Sequence, residues 1–208
     1  MGDETAFCGT EGTDNESTGL AGTGENGCIY GQEATDLLLD INTAGDYVSV
    51  SGDMKFTSCS HTYQNHPQTP ERFEVSQVLS DRSFSSGRHY WDVEACDSGD
   101  WMVGVAYPSI ERKGGDQAYI GQNNKSWCLR RWCNQYSVRH DSEEPCLAHD
   151  PSCGRIRISL DYEAGILSFY ELSEPIRHLH TFTATFTEPL HVAFFIWGGE
   201  GTWVRIIS

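Results

Sequence analysis

The first 53 residues contain no lysine or arginine, yet they carry 11 of the chain's 30 acidic residues. The other 19 acids face all 14 bases beyond Asp53, so the formal charge of −16 falls to −5 over the remaining three quarters of the chain. A chain this acidic opposes the phosphate contacts that release the counterions of nucleic acid, so nucleic acid is not an expected partner. An anionic membrane surface is disfavoured on the same charge argument. No stretch approaches the ~20 consecutive apolar residues that a membrane helix needs. The N-terminus has neither a basic n-region nor an apolar run, so no secretory signal is expected. Met1-Gly2 does not make a myristoylation site, because Ala6 stands where Ser or Thr is required. The expected compartment is the cytoplasm. There the eight cysteines (8, 28, 59, 96, 128, 133, 146 and 153) are free thiols. No Cys-x2-Cys pair, no G-x-S-x-G elbow and no H-E-x-x-H helix occurs, which leaves the chain without a recognisable catalytic constellation.

What is present is mostly turn and strand. Residues 1–30 are rich in Gly, Thr, Glu and Asn and nearly free of large apolar side chains. Such a segment cannot bury enough surface to offset its ordering entropy, and it reads as a disordered acidic tail. Its Gly22-Thr23-Gly24-Glu25-Asn26-Gly27 run matches G-x-G-x-x-G, but it lacks the flanking strand and helix that a nucleotide loop needs. A single helical turn is expected around Glu33–Leu38. Beyond it, Trp91, Val93 and Ala95 alternate with Asp92 and Glu94. The sets Trp101/Val103/Val105, Ile156/Ile158/Leu160 and Val192/Phe194/Ile196 repeat the pattern. Period-two alternation marks half-buried antiparallel strands. Residues 155–170 read as a hairpin turning at Tyr162-Glu163-Ala164-Gly165. Many short strands without crossover helices predict an all-β fold, an antiparallel β-sandwich of two sheets.

Three segments resemble a known family. Leu39-Asp40-Ile41-Asn42-Thr43-Ala44 is similar to an early Leu-Asp-Pro-x-Thr-Ala signature, with Ile41 in place of proline. Phe84-Ser85-Ser86-Gly87-Arg88-His89-Tyr90-Trp91-Asp92-Val93-Glu94 resembles a central motif, and Leu160–Gly165 with Ser168-Phe169-Tyr170 a third. Their order and spacing are those of the PRY-SPRY (B30.2) domain of tripartite-motif ubiquitin ligases and butyrophilins. Residues 71–113 look closest to the ligases abundant in amphibians and fish. The resemblance implies a PRY segment over 31–83, an SPRY segment over 84–208, and target recognition through loops between core strands. It also implies the substrate-selecting end of a ubiquitin ligase in innate immune signalling. The RING, B-box and coiled coil of those ligases have no counterpart here, so the chain is not expected to be an enzyme by itself.

The motif residues Trp91, Trp101, Asp161 and Tyr162 read as fold-makers, because alternation turns the tryptophans inward and places the other two at a hairpin end. Binding residues are sought instead in the loops 57–69, 107–125, 130–152 and 197–202. Residues 112–139 hold Arg112, Lys113, Lys125, Arg130, Arg131 and Arg139 against Asp116 alone, with tryptophans and Tyr136 interleaved. Aromatics with arginine are what interface hot spots favour. The predicted partner-binding set is Tyr107, Arg130, Trp132, Tyr136 and Trp197. Trp132 also fits the tryptophan contacts of antibody-binding relatives, but Arg130 stands where they carry another, so antibody is not the expected partner. A butyrophilin-like sensor of a small phosphorylated anion, built around His89-Tyr90, is the alternative. Cys128, Cys133, His140, Cys146, His149 and Cys153 could ligate zinc, but Cys128 and Cys133 fall on opposite faces of a strand. No metal and no cofactor is expected.

Overall fold

The computed structural model describes residues 34–199 and 201–208, and the expectations for residues 1–30 lie outside that range. The strands are β1 (Val48–Val50), β2 (Phe56–Cys59), β3 (Gln77–Phe84), β4 (Arg88–Ala95), β5 (Asp100–Ala106) and β6 (Ser126–Trp132), followed by β7 (Gln135–His140), β8 (Arg155–Asp161), β9 (Ile166–Glu171), β10 (Arg177–Thr183), β11 (Leu190–Trp197) and β12 (Trp203–Ile206). They form two antiparallel sheets, one ordered β1-β2-β12-β4-β8-β9-β10 and the other β3-β11-β5-β6-β7. The two-sheet all-β sandwich read from the alternation is the observed fold. Residues 34–38 are not helical. The Thr35 amide donates to the Tyr90 carbonyl and the Leu38 amide to Asp81 Oδ1, so this backbone pairs with its neighbours rather than with itself.

The main core lies between the sheets. Trp91, Val93, Ile156, Ile158, Leu167 and Phe169 come from one side, and Trp101, Val103, Val105, Leu129 and Phe194 from the other, all fully buried. Alternation therefore assigned these faces correctly. A second cluster, Phe73, Leu79, Met102, Ala106, Ile110, Ile120, Cys128, Ala193 and Phe195, covers the opposite face of the five-stranded sheet. It forms because residues 107–125 fold over that face. Gln77 anchors them, its side chain donating to the Ala118 carbonyl (3.0 Å) and accepting from the Ile120 amide (2.9 Å). Asn123 ties the same segment together through Gln117, Tyr119, Lys125 and Ser126.

The three family-like motifs are structural. In the first, Asp40 Oδ1 accepts from the Asn42 amide, while the Thr43 hydroxyl donates to the Asp40 carbonyl and accepts from the Leu79 amide. The turn thus forms with Ile41 in place of proline. In the second, the Gly87 amide donates to Glu163, and His89 uses one ring nitrogen on Thr35 and the other on the Ser86 carbonyl. In the third, Gly165 takes φ +67 at the β8–β9 turn, Asp161 accepts from Ala164 and Arg88, and the Tyr162 hydroxyl donates to the Glu188 carbonyl.

Gly104 shows how closely β5 and β6 approach. A Cβ there would lie 2.0 Å from the Trp127 carbonyl oxygen and 2.7 Å from Cys128 Cα. Gly104→Ala is expected to lower stability by about 2–3 kcal/mol in urea denaturation, because backbone rather than a flexible side chain must shift. Gly52→Ala, where a Cβ meets nothing within 4 Å, should stay within about 0.5 kcal/mol of the parent. Equal effects of the two substitutions would contradict the packing described.

Candidate binding cleft

The outer face of the five-stranded sheet is not wholly covered. Strand register places its side chains in rows. Trp197 on β11 pairs with Asp100 on β5, and Asp100 lies beside Trp132 on β6. The next row holds Phe195, Met102, Arg130 and Ser137, and the one after it Ala193, Gly104, Cys128 and Arg139. The 107–125 segment covers the last row, with Tyr119 packed edge-on against Phe195 at 5.1 Å. Between that roof and the two tryptophans lies a cleft of about 480 Å³, lined by Met102, Asp116, Tyr119, Gln122, Arg130, Trp132, Arg139, Phe195 and Trp197. Trp132 and Trp197 stand two strand spacings apart, about 10 Å at the backbone. They are 39% and 52% exposed, which for side chains of this size is a standing cost of hydration.

Three of the five predicted partner-binding residues, Arg130, Trp132 and Trp197, meet at this cleft. The other two are placed differently. Tyr136 points inward from β7, edge-on to Trp101 at 6.2 Å, and its hydroxyl donates to Glu171 at 3.2 Å. Burial, reinforced by the Glu171 charge, pushes its phenol far above the ordinary range. Tyr107 is also buried, packed on Trp127 at 5.3 Å with its hydroxyl accepting from the Thr187 amide. Both are core residues, because β7 and the end of β5 turn them toward the other sheet. The signal missed in the sequence is the unbroken apolar run Trp101–Ala106. Such a run marks a strand covered on both faces, and it would have pointed to Met102 and its row-mate Phe195 as floor residues.

The basic stretch 112–139 disperses in space. Arg131 is buried, bonded to the carbonyls of Asp97 and Gly99 and to Asn134. Arg112 lies over the Phe73 ring at 4.4 Å, and Lys125 reaches the Ser109 carbonyl and Glu111. Only Arg130 and Arg139 line the cleft. Glu144 bridges them, accepting from Arg130 Nη1 at 2.6 Å and from Arg139 Nη2 at 2.9 Å, with the Ser137 hydroxyl at 2.9 Å. Burial alone would raise the Glu144 carboxyl, but the Arg130 and Ser137 hydrogen bonds and the two guanidinium charges outweigh it and hold the group below the usual range. Arg130 also stacks on Trp132 at 4.2 Å.

Glu144 belongs to the β7–β8 connection, residues 141–154, which Glu171 holds down. The buried Glu171 carboxylate accepts from the amides of Ser152 and Cys153 and from the hydroxyls of Ser152 and Tyr136. Among the described residues no group of His, Cys, Asp and Glu is arranged to hold a metal ion. Of the six candidate ligands, Cys128 is buried beside Met102, its thiol pushed up to about 12 by burial, whereas Cys133 sits in the exposed β6–β7 turn. His89 and Tyr90 lie on β4 of the other sheet, so they do not converge with Arg130 and Arg139.

Comparison with known proteins settles the family. Residues 37–84 match the SPRY-associated domain, PRY, and residues 88–204 the SPRY domain. The chain is a PRY-SPRY domain. The PRY-SPRY chain is 40% identical over 164 residues to mouse tripartite motif-containing protein 14, and 40% identical over 177 residues to stonustoxin subunit alpha of Synanceia horrida. These alignments cover 77% and 81% of this chain but only 37% and 25% of those proteins. The crystal structure of the TRIM65 PSpry domain superimposes with a TM-score of 0.76 at 28% identity, covering 84% of this chain and 91% of that one. A PRY-SPRY domain is a protein-interaction module, and this chain corresponds to that part of the tripartite-motif proteins.

The Glu171 anchor gives a pH signature. Burial raises its carboxyl, but the hydrogen bonds from Ser152, Cys153 and Tyr136 outweigh this and leave it below the ordinary value. A depressed folded-state value contributes stability that is fully present above the unfolded value of about 4.3 and lost as pH falls through the folded one. Glu171→Gln should cost about 3 kcal/mol at neutral pH. That gap should narrow as urea midpoints are taken below about pH 4, the unfolded range. A gap independent of pH would rule out the ionised anchor.

Proposed function

We propose that this PRY-SPRY domain is the target-recognising part of a tripartite-motif ubiquitin ligase, acting in the cytoplasm in innate immune signalling. The observation that carries the recognition reading is the cleft, with Trp132 and Trp197 exposed on either side of it and Arg130 stacked on Trp132. Rigid aromatic side chains that lose little entropy on binding are what interfaces use as anchors. Cleft floor and rim stand on strands, so the site is preorganised, which reduces the ordering cost of association. The ligase assignment draws on the likeness to tripartite motif-containing protein 14 and the TRIM65 domain. The immune part rests on the family resemblance, and the cytoplasmic part on the sequence reading.

The alternative, a small phosphorylated anion, loses its original support now that His89 is committed to Thr35 and Ser86. The Arg130–Arg139 pair would be its remaining basis, and Glu144 already neutralises part of that charge.

The test is affinity capture with the full chain and with a Trp132→Ala/Trp197→Ala double variant of unchanged thermal stability. Each anchor is worth about 2 kcal/mol, so the double variant should retain the partner on the order of 10³-fold more weakly. Equal retention by both baits removes the cleft from recognition.

A further inference from the structure

The cleft is chemically divided. At the β11 end its lining is aromatic and apolar, from Trp197, Phe195, Tyr119 and Met102. At the β7 end it is cationic, from Arg130 and Arg139, which project from the same sheet face in adjacent rows of neighbouring strands. Two guanidinium groups this close repel one another. Glu144 holds them together with one carboxylate oxygen on each, and it uses only Nη1 of Arg130 and Nη2 of Arg139. The Nε of both arginines is buried and makes no hydrogen bond among the described residues. A buried Nε cannot reach a visitor, but each guanidinium carries five N–H donors in a rigid fork, so the nitrogens that Glu144 does not use, Nη2 of Arg130 and Nη1 of Arg139, remain as donors. The Arg130 plane is further fixed by Trp132. Across the cleft, Asp116 on the roof would repel an anion, which confines a negative group to the floor on the β7 side.

We propose that the partner presents a short acidic segment. Its apolar or aromatic side chain sits between Trp132 and Trp197, and a neighbouring Asp or Glu carboxylate is held by Arg130 and Arg139. This rests on the cleft being the recognition surface and adds the chemistry that selects the partner. The argument is one of charge complementarity. Two preorganised guanidinium groups share one internal carboxylate, and a second carboxylate completes the pairing, whereas a lysine or arginine in the partner would be rejected.

The test is selection of a random-peptide display library on the full chain, followed by affinity measurement with the synthetic form of an enriched peptide. The expected result is enrichment of peptides in which Asp or Glu neighbours an aromatic or large aliphatic residue. Replacing that acid by its amide should weaken binding at least about tenfold to the native chain, but only about threefold to Arg139→Gln, which keeps Arg130 alone for the charge-assisted contact. Arg139 is largely shielded beneath the cleft, its side chain 18% exposed, so a thermal melt of Arg139→Gln checks that the variant is folded. Three results would overturn the proposal. If enriched peptides lack an acid yet lose binding in the Trp132→Ala/Trp197→Ala variant, the acidic specificity fails and the cleft survives. If they are indifferent to both tryptophans, the cleft fails too. Pyrophosphate bound through Arg130 and Arg139, with no acid-dependent peptide found, reassigns the arginines to a small anion.

Discussion

A single buried carboxylate, Glu171, governs how the cleft-bearing face is assembled. It is wholly shielded from water and is satisfied by four hydrogen bonds, from two amides and two hydroxyls. An unpaired charge in that position would be prohibitive, so the chain is held to the one arrangement that supplies the donors. Three of those donors come from Ser152 and Cys153, at the end of the β7–β8 connection. Fixing that end folds the connection back along β7, where Glu144 reaches the two arginines. Tyr136 provides the fourth donor, which is why this aromatic residue of β7 belongs to the core and not to the surface. The site is therefore held from behind, by a group that touches no part of the cleft.

The second constraint is that the five-stranded sheet has apolar residues on both faces. One face closes the sandwich; the other carries its own cluster, roofed by residues 107–125. The roof does not extend over the row of Trp197, Asp100 and Trp132, and the cleft is the boundary between covered and uncovered sheet. The PRY residues take part in this. β3 belongs to the five-stranded sheet, and Gln77 and Phe73 hold or pack the roof. The PRY segment is thus an integral part of the sandwich that shapes the SPRY surface.

Much of the architecture was legible in the sequence because strand periodicity is a local property. Trp91, Trp101, Ile156, Ile158 and Phe194 all face where their alternation placed them, and Gly165 turns the hairpin it was assigned to. The cleft face was only partly legible. Trp132 and Arg130 could be placed outside because Trp127 and Leu129 had to be inside. Tyr107 and Tyr136 could not be separated from them, since an aromatic near a loop can pack or project with the same pattern. Arg139 was visible as a charge, but its partner Glu144 reaches it only through the fold of the intervening loop. Likewise the density of basic residues in 112–139 suggested a patch, whereas Arg131 is bonded to backbone carbonyls and Arg112 lies over the Phe73 ring. Pairing across a loop is a tertiary fact, and composition does not carry it.

The same folded-back connection has a consequence for the kind of recognition this face can perform. β7 is the outer strand of its sheet, and its free side is already occupied: Ser137 bridges to Cys146, His140 to Glu143, and the amides of Val138 and Leu147 are paired with Pro145 and Tyr136. A visitor therefore cannot dock at this edge by adding a strand of its own, a mode that draws its affinity from backbone hydrogen bonds. What remains is reading side chains one at a time on the sheet face. Selectivity of that kind is encoded in a few outward positions that can be exchanged without disturbing the ladder beneath them, so the same sandwich can be redirected to a new target by replacing a handful of residues on one side of four strands.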